Sequence, residues 1–353
     1  GSEIHYKKNG ETFYVSATPS SGSLLGDISM YSNGDKIKNL KIVDNSKGLQ
    51  KVDYAYNVRG WLKNINQDAH NDNDLFNFTI RYDKPISGAA LYNGNISQTS
   101  WNTLNTDSSS KTYTYSYDAL NRITSATGAR TSNYNVSGIQ YDKNGNILRL
   151  TRRGHINSGA TSFVVMDNLS YSYDNGNKLL NVSDTGNRTY GFKDVSNRAN
   201  EYSYDTNGNM KTDANKGITN IVYNQLNLPT QVTIASKNIN YTYDASGLKL
   251  RKVVENTTTD YAGNAVYKNG SLEFFNQPEG YVTKDNQGFT YVYNYLDHLG
   301  NVRLSYSDAN GDGDIDVTND PNTNEIVEES NYYPFGLKHK GYNNNVSSLG
   351  NAT

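Results

Sequence analysis

Tyr171-Ser172-Tyr173-Asp174-Asn175-Gly176-Asn177-Lys178-Leu179 is the stretch that decides the fold, because its chemistry recurs along most of the chain. Side chains of a strand alternate between faces, so Tyr171 and Tyr173 project from the same one. Asp174 follows at once, and its short side chain accepts from the backbone N–H two residues on. The Asn-Gly pair supplies the positive φ of a tight hairpin, and Leu179 opens the return strand. A cross-strand pair of tyrosine with that aliphatic residue is worth roughly 0.2–1 kcal/mol, so one hairpin is marginal and many in series are required.

Working outward, the same pattern is read at Tyr54-Ala55-Tyr56-Asn57, Tyr115-Ser116-Tyr117-Asp118, Tyr141-Asp142 and Tyr202-Ser203-Tyr204-Asp205. It continues at Tyr223-Asn224, Tyr241-Thr242-Tyr243-Asp244 and Tyr293-Asn294-Tyr295-Leu296-Asp297. The interval is about 20–30 residues, the range of repeat architectures. It doubles between Tyr56 and Tyr117 and between Tyr243 and Tyr295, where either a copy has decayed or a loop is inserted. Asn9-Gly10, Asn33-Gly34, Asn93-Gly94 and Asn269-Gly270 predict further hairpins. The polar run from Trp101 to Lys111 reads as a long exposed loop, and no long amphipathic helix is found.

The bulk composition agrees. Of 353 residues 35% are hydrophobic, below the roughly 45–50% of an ordinary domain, yet 30 are tyrosine. The phenol ring is the apolar mass of this chain, and it favours a pleated, half-buried surface. Charges nearly cancel, 33 basic against 35 acidic, so nothing draws the chain to nucleic acid. The short run Arg149, Arg152 and Arg153 reads as solvated strand ends. No apolar run of 18 residues exists to span a bilayer as a helix, and the absence of cysteine excludes disulfides and thiolate chemistry. The expectation is an all-β, extended antiparallel sheet of tyrosine–aspartate repeats.

In these repeats the chain resembles the YD-repeat proteins of the Rhs type. The turns at Tyr117-Asp118, Tyr173-Asp174, Tyr204-Asp205 and Tyr243-Asp244 carry the resemblance. So do two further segments, Asp297-His298-Leu299-Gly300-Asn301-Val302-Arg303 and Asn331-Tyr332-Tyr333-Pro334-Phe335-Gly336, which look like the repeat-associated core in its Bacteroidetes form. The resemblance implies a β-sheet spiralling as a section of a hollow shell around a carboxy-terminal cargo, often a polymorphic toxin. It implies an exported or cell-surface protein whose partners are the rest of the shell, its cargo and export or surface-assembly factors. The aspartate-dependent cleavage stretch of such relatives lies beyond Thr353, so this piece is read as a non-enzymatic scaffold truncated before it. The expected division is an amino-terminal β segment (1–49), the repeat sheet (50–292), the core segment (293–344) with an acidic loop (308–320), and a tail (345–353).

Size argues for a section of something larger. At about 3.3 Å rise and 4.8 Å spacing, 353 residues of sheet cover on the order of 5600 Å². Closed as a sphere, that wall leaves an inner radius of roughly 16 Å, against about 17 Å for a compact 100-residue cargo. A wall completed by other sequence or partner chains is therefore expected.

Three constellations carry candidate chemistry. Asp308, Asn310, Asp312, Asp314 and Asp316 alternate around Gly313 like the opening of a calcium loop, but position twelve is Asn319 where bidentate closure wants Glu. A bound Ca²⁺ and an ion-free acidic hairpin loop are the two readings. Asp297, His298 and Arg303 invite an active-site reading, but no nucleophile elbow accompanies them; a structural Asp297–Arg303 bond with Gly300 closing the turn fits better. Five scattered histidines argue against zinc. The alternative function is carbohydrate binding or adhesion through exposed tyrosines and the two tryptophans, Trp61 and Trp101, that lie outside the repeat.

Overall fold

The computed structural model describes residues 49–340 apart from 67–73, 106–107, 129–130, 197 and 285–287, together with the strand pairing of the first 40 residues. Two compact units are present: Gly1–Lys51 with Asn310–Ile315, and Val52–Ala309 with Asp316–Thr353. The first contains two antiparallel hairpins, β1 (Glu3–Lys8) with β2 (Glu11–Ser16) and β3 (Ile28–Ser32) with β4 (Asp35–Leu40). Asn9-Gly10, Asn33-Gly34 and the tail at 345–353 lie outside the described residues.

The second unit holds two antiparallel meanders. The first has ten strands: β5 (Tyr54–Tyr56), β6 (Leu62–Ile65), β7 (Phe76–Arg81), β8 (Gln98–Thr103) and β9 (Lys111–Tyr117), then β10 (Ile123–Thr127), β11 (Val136–Tyr141), β12 (Ile147–His155), β13 (Phe163–Tyr173) and β14 (Leu179–Asp184). The other has thirteen. It opens with β15 (Tyr202–Tyr204), β16 (Met210–Asp213), β17 (Ile218–Tyr223), β18 (Pro229–Ile234), β19 (Lys237–Tyr243) and β20 (Lys249–Val254). It continues through β21 (Thr257–Ala262), β22 (Ala265–Lys268), β23 (Ser271–Gln277) and β24 (Gly280–Lys284) to β25 (Phe289–Leu296), β26 (Val302–Tyr306) and β27 (Ile326–Glu329). Every strand pairs with its sequence neighbour, so neither sheet closes on itself. The only helix among the described residues is one 3-10 turn, Ser132–Tyr134.

At the joint of the sheets, carboxylates stand in for a missing strand. Glu201 Oε2 accepts from the Val182 amide at 2.9 Å, and Asp194 Oδ2 accepts from the Asp184 amide at 3.0 Å. Charge-assisted bonds of this kind satisfy the edge of β14 without extending it.

The wide intervals in the repeat have different causes. Between Tyr56 and Tyr117 a full copy exists, Tyr82-Asp83 to Asn93-Gly94-Asn95-Ile96, split by an insertion. Between Tyr243 and Tyr295 the meander runs on through hairpins whose two-residue turns lack tyrosine–aspartate, including Asn269-Gly270 with both φ positive.

The run from Trp101 to Lys111 is a loop only in its middle, where Ser108 and Ser110 are exposed; its two ends are buried strand. Gln98–Thr103 is the fully buried strand β8, and the buried Lys111 begins β9. Its serines, threonines and asparagines sit between strands and bond across them; the Gln98 amide, for example, donates to Thr114 Oγ1 at 3.1 Å. A polar sequence thus fills a buried strand by pairing with itself.

Candidate functional site: a repeat ladder and its carboxy-terminal latch

Each repeat turn has one construction. The opening Asp or Asn accepts at Oδ1 from the amides two and four residues on, at 2.7–3.1 Å. The residue three on is left-handed: Gly60, Asn121, Gly145, Asn177, Gly208, Asn227, Gly247 or Gly300. This is a three-residue loop with a bulge, so in Asn144-Gly145 and Asn207-Gly208 only the glycine is left-handed, whereas in Asn175-Gly176 neither residue is and Asn177 takes that place instead of the expected Asn-Gly pair. Asp142 and Asp205 are held below the usual carboxylate range, first by the side-chain amides of Asn146 and Asn209.

Neighbouring turns are clasped together where Asn takes the left-handed position. Asn121 Oδ1 accepts from Asn93 and Asn95, Asn177 from Asn144 and Asn146, and Asn227 from Asn207 and Asn209, all at 2.8–3.2 Å. Asn-Gly-Asn turns donate and the αL asparagine accepts, which explains why the two turn types alternate there.

The tyrosine before each turn reaches back to the hairpin before it. Its hydroxyl donates to the carbonyl of the first return-strand residue: Tyr82 to Leu62, Tyr117 to Ile96, Tyr141 to Ile123, Tyr173 to Ile147, Tyr204 to Leu179, Tyr223 to Met210 and Tyr243 to Pro229, at 2.6–3.1 Å. Tyr332 does the same to Val302 at 2.9 Å. Tyr332-Tyr333-Pro334-Phe335-Gly336 is therefore a further hairpin, closed by Gly336 N to Tyr333 O and Tyr333 N to Leu337 O, with Tyr333 in the aspartate's place.

The last quoted copy departs from the pattern. Leu296, not tyrosine, precedes Asp297, so Tyr293 and Tyr295 fall on the opposite face from their counterparts. Tyr295 is buried against Phe76 of β7, ring centroids 5.7 Å apart, and burial raises its pKa strongly.

That parity change helps the end of the second sheet dock on the first. Arg303 is 4% exposed, its guanidinium 4.8 Å from the Trp101 ring and 5.6–6.0 Å from Phe76, Phe78 and Tyr332. It pairs with Asp297 at 3.5 Å and donates to Ser330 O and Asn331 Oδ1 at 3.0 and 2.8 Å. Burial lowers the guanidinium pKa, and the Asp297 carboxylate opposes the shift. His298 stacks on Phe78 at 5.5 Å, while Gly300 takes the αL place of the turn. Asp297, His298 and Arg303 thus converge; the polar atoms of Asp297 and Arg303 are committed to a turn and an ion pair, while the exposed His298 contributes a ring contact.

A second contact, around His339, has no precedent in the sequence pattern. His339 stacks on Tyr134 at 4.0 Å and 8°, and meets the Tyr333 edge at 4.5 Å. Tyr333 donates to Arg153 O at 2.7 Å, close enough to β12 that a side chain at Gly154 would run into its hydroxyl. Glu329 accepts from Thr103 and Asn105. Only the Tyr333-Pro334 segment was readable as special; neither His339 nor Glu329 lies in a repeat.

The remaining sequence candidates separate. Trp101 is 3% exposed and covered by Arg303 and Tyr113, so it offers no carbohydrate platform. Trp61 is half-buried against Tyr82. Arg152 is not a solvated strand end: it pairs with the buried Asp167 at 2.7 Å, while Arg153 donates to Phe163 O. In the acidic loop, Asp312 and Asp314 amides donate to Asn310 and Asp312 Oδ1. Asp308 and Asp316 belong to the other unit, where Glu325 accepts from the Ala309 and Asp316 amides. No group of three or more His, Asp and Glu among the described residues is arranged to hold a metal.

No family model and no curated protein matches the sequence. Among solved structures the chain is similar to TcdB2-TccC3-TEV, with 14% identity and a TM-score of 0.52 over 95% of this chain and 18% of that one. It is likewise similar to TcdB2-TccC3-Cdc42, with 15% identity and a TM-score of 0.50 over 93% and 18%. The chain spans less than a fifth of the solved chains it matches, and the likeness is one of fold: large antiparallel meanders of consecutive strands.

Proposed function

We propose that this chain is a non-catalytic section of an Rhs-type β-shell wall, which encloses or presents a cargo in an exported or cell-surface protein. One observation carries the reading: the carboxy-terminal hairpins of the second sheet latch through Arg303, Tyr333 and His339 onto β7–β12 of the first. The two meanders are thereby tied to each other by side-chain contacts. Asp297 and Arg303, two of the three residues that most resemble a catalytic group, are paired with each other within that latch. The fold likeness to the TcdB2-TccC3 structures supports the same reading, and the sheet area requires more wall than this chain supplies.

The test uses the chain within its natural flanking sequence, with a small folded reporter in place of the cargo. Trypsin is expected to spare the reporter in the intact protein and to digest it when Arg303→Met opens the latch. Digestion of the reporter at the free rate in the intact protein would overturn the shell reading.

A further inference from the structure

The ladder of phenol bonds has one vacant end. Asn57 opens a regular repeat turn, accepting from the Arg59 and Trp61 amides at 2.9 and 3.0 Å, and Tyr56 precedes it as Tyr141 precedes Asp142. Seven later turn tyrosines of the two meanders, and Tyr332 in the hairpin beyond them, donate to a preceding return strand. Tyr56 makes no hydrogen bond among the described residues and is 58% exposed. All three residues of β5 are exposed, and β5 ends its sheet, paired only with β6. An edge strand presents backbone donors and acceptors to a further strand.

We infer that the β5 edge is a docking site for the return strand of another tyrosine–aspartate hairpin, whose first aliphatic residue offers its carbonyl to the Tyr56 hydroxyl. The occupant follows from continuity. The same phenol, one residue before the same turn, is filled in this way at eight places in the molecule. A sugar or a generic apolar peptide would not match the antiparallel backbone and the single carbonyl at once. The partner assignment rests on the wall reading, since a wall section must receive neighbouring wall; the edge itself does not.

The probe is a fluorescent peptide copying Val136–His155, a repeat hairpin whose Ile147 carbonyl receives Tyr173, closed at its open end by an added disulfide. Titrated against the whole chain, it is expected to bind, and Tyr56→Phe is expected to weaken binding about 5- to 10-fold, the value of one hydrogen bond. A peptide N-methylated along its docking edge is expected not to bind. Absence of binding to the native chain, or equal affinity for Tyr56→Phe, would overturn the inference. Self-association of the chain that Tyr56→Phe abolishes, without peptide binding, would overturn it in favour of a second copy. Reporter protection can fail while this binding persists, so the two readings are separable.

Discussion

The Tyr113 hydroxyl donates to the Tyr134 carbonyl at 2.7 Å and lies 2.8 Å from Nε2 of His339, 226 residues further along the chain. A phenol has one proton to give. Because Tyr134 receives it, His339 must carry its hydrogen on Nε2 and donate to Tyr113. The latch therefore requires one tautomer of a neutral, buried imidazole, and burial with the Arg303 charge holds His339 well below the usual histidine range.

A depressed histidine pKa costs stability in acid. The unfolded state takes up the proton near pH 6.5 and the folded state resists it, so stability falls as pH drops below about 6.5, by up to about 1.4 kcal/mol per pH unit per group. Urea unfolding between pH 7.5 and 5 is expected to show this slope, reduced in His339→Gln, whose amide keeps a donor toward Tyr113. An unchanged slope in the variant would remove His339 as a source; His155 and His298, also lowered by burial, supply the remainder.

Arg303→Met should cost about 3–5 kcal/mol, because it leaves Asp297 buried without its partner charge. Adding Asp297→Asn should recover part of the loss. Equal stability of the single and double variants in urea would show that ring contacts, not the ion pair, dominate the site.

Loss of one ladder bond should be modest and local. Tyr141→Phe and Tyr204→Phe, one in each sheet, are each expected to cost about 0.5–1.5 kcal/mol and to add in the double variant within about 0.5 kcal/mol. Strong non-additivity would mean that the sheets melt as one lattice.

Asp205 separates charge from geometry. Its lowered pKa means its contribution is present above the unfolded value near 3.9 and is lost as pH falls through the folded one. Asp205→Asn keeps the acceptor for the two backbone amides but loses the carboxylate oxygen that accepts from Asn209, so it should melt below the parent at pH 7 and approach it in acid. Asp205→Ala should melt lower at both pH values by circular dichroism.

In the acidic loop, calcium titrated calorimetrically into the native chain and into the Asp312→Asn/Asp314→Asn double variant separates the two readings: equal heats assign the ion-free hairpin loop, and a heat confined to the native chain assigns a bound ion.

The turns were legible because their chemistry is local: Asp174 Oδ1 accepts from the amides of Gly176 and Lys178, within four residues, and that survives in any context. Tyr82-Asp83 went unread because its insertion separates the strand end from Asn93-Gly94-Asn95-Ile96. Trp101 was misplaced since Ser, Thr and Asn look solvent-facing unless their partners, here on β7 and β9, are known. The face reversal at Tyr295 is one residue of register, visible as Leu296 before Asp297 but without meaning until Phe76 is seen beneath the ring. His339 was illegible: its partners are Tyr113, Tyr134 and Tyr333, and no spacing links them.

Every ladder bond points one way, from a later phenol to an earlier carbonyl. A hairpin thus finds its seat only after its predecessor has set, and the His339 contact arrives last. Synthesis on the ribosome runs in that same direction, so each emerging strand meets a template already built, and a long polar sheet grows without leaving earlier edges to wait for distant chain.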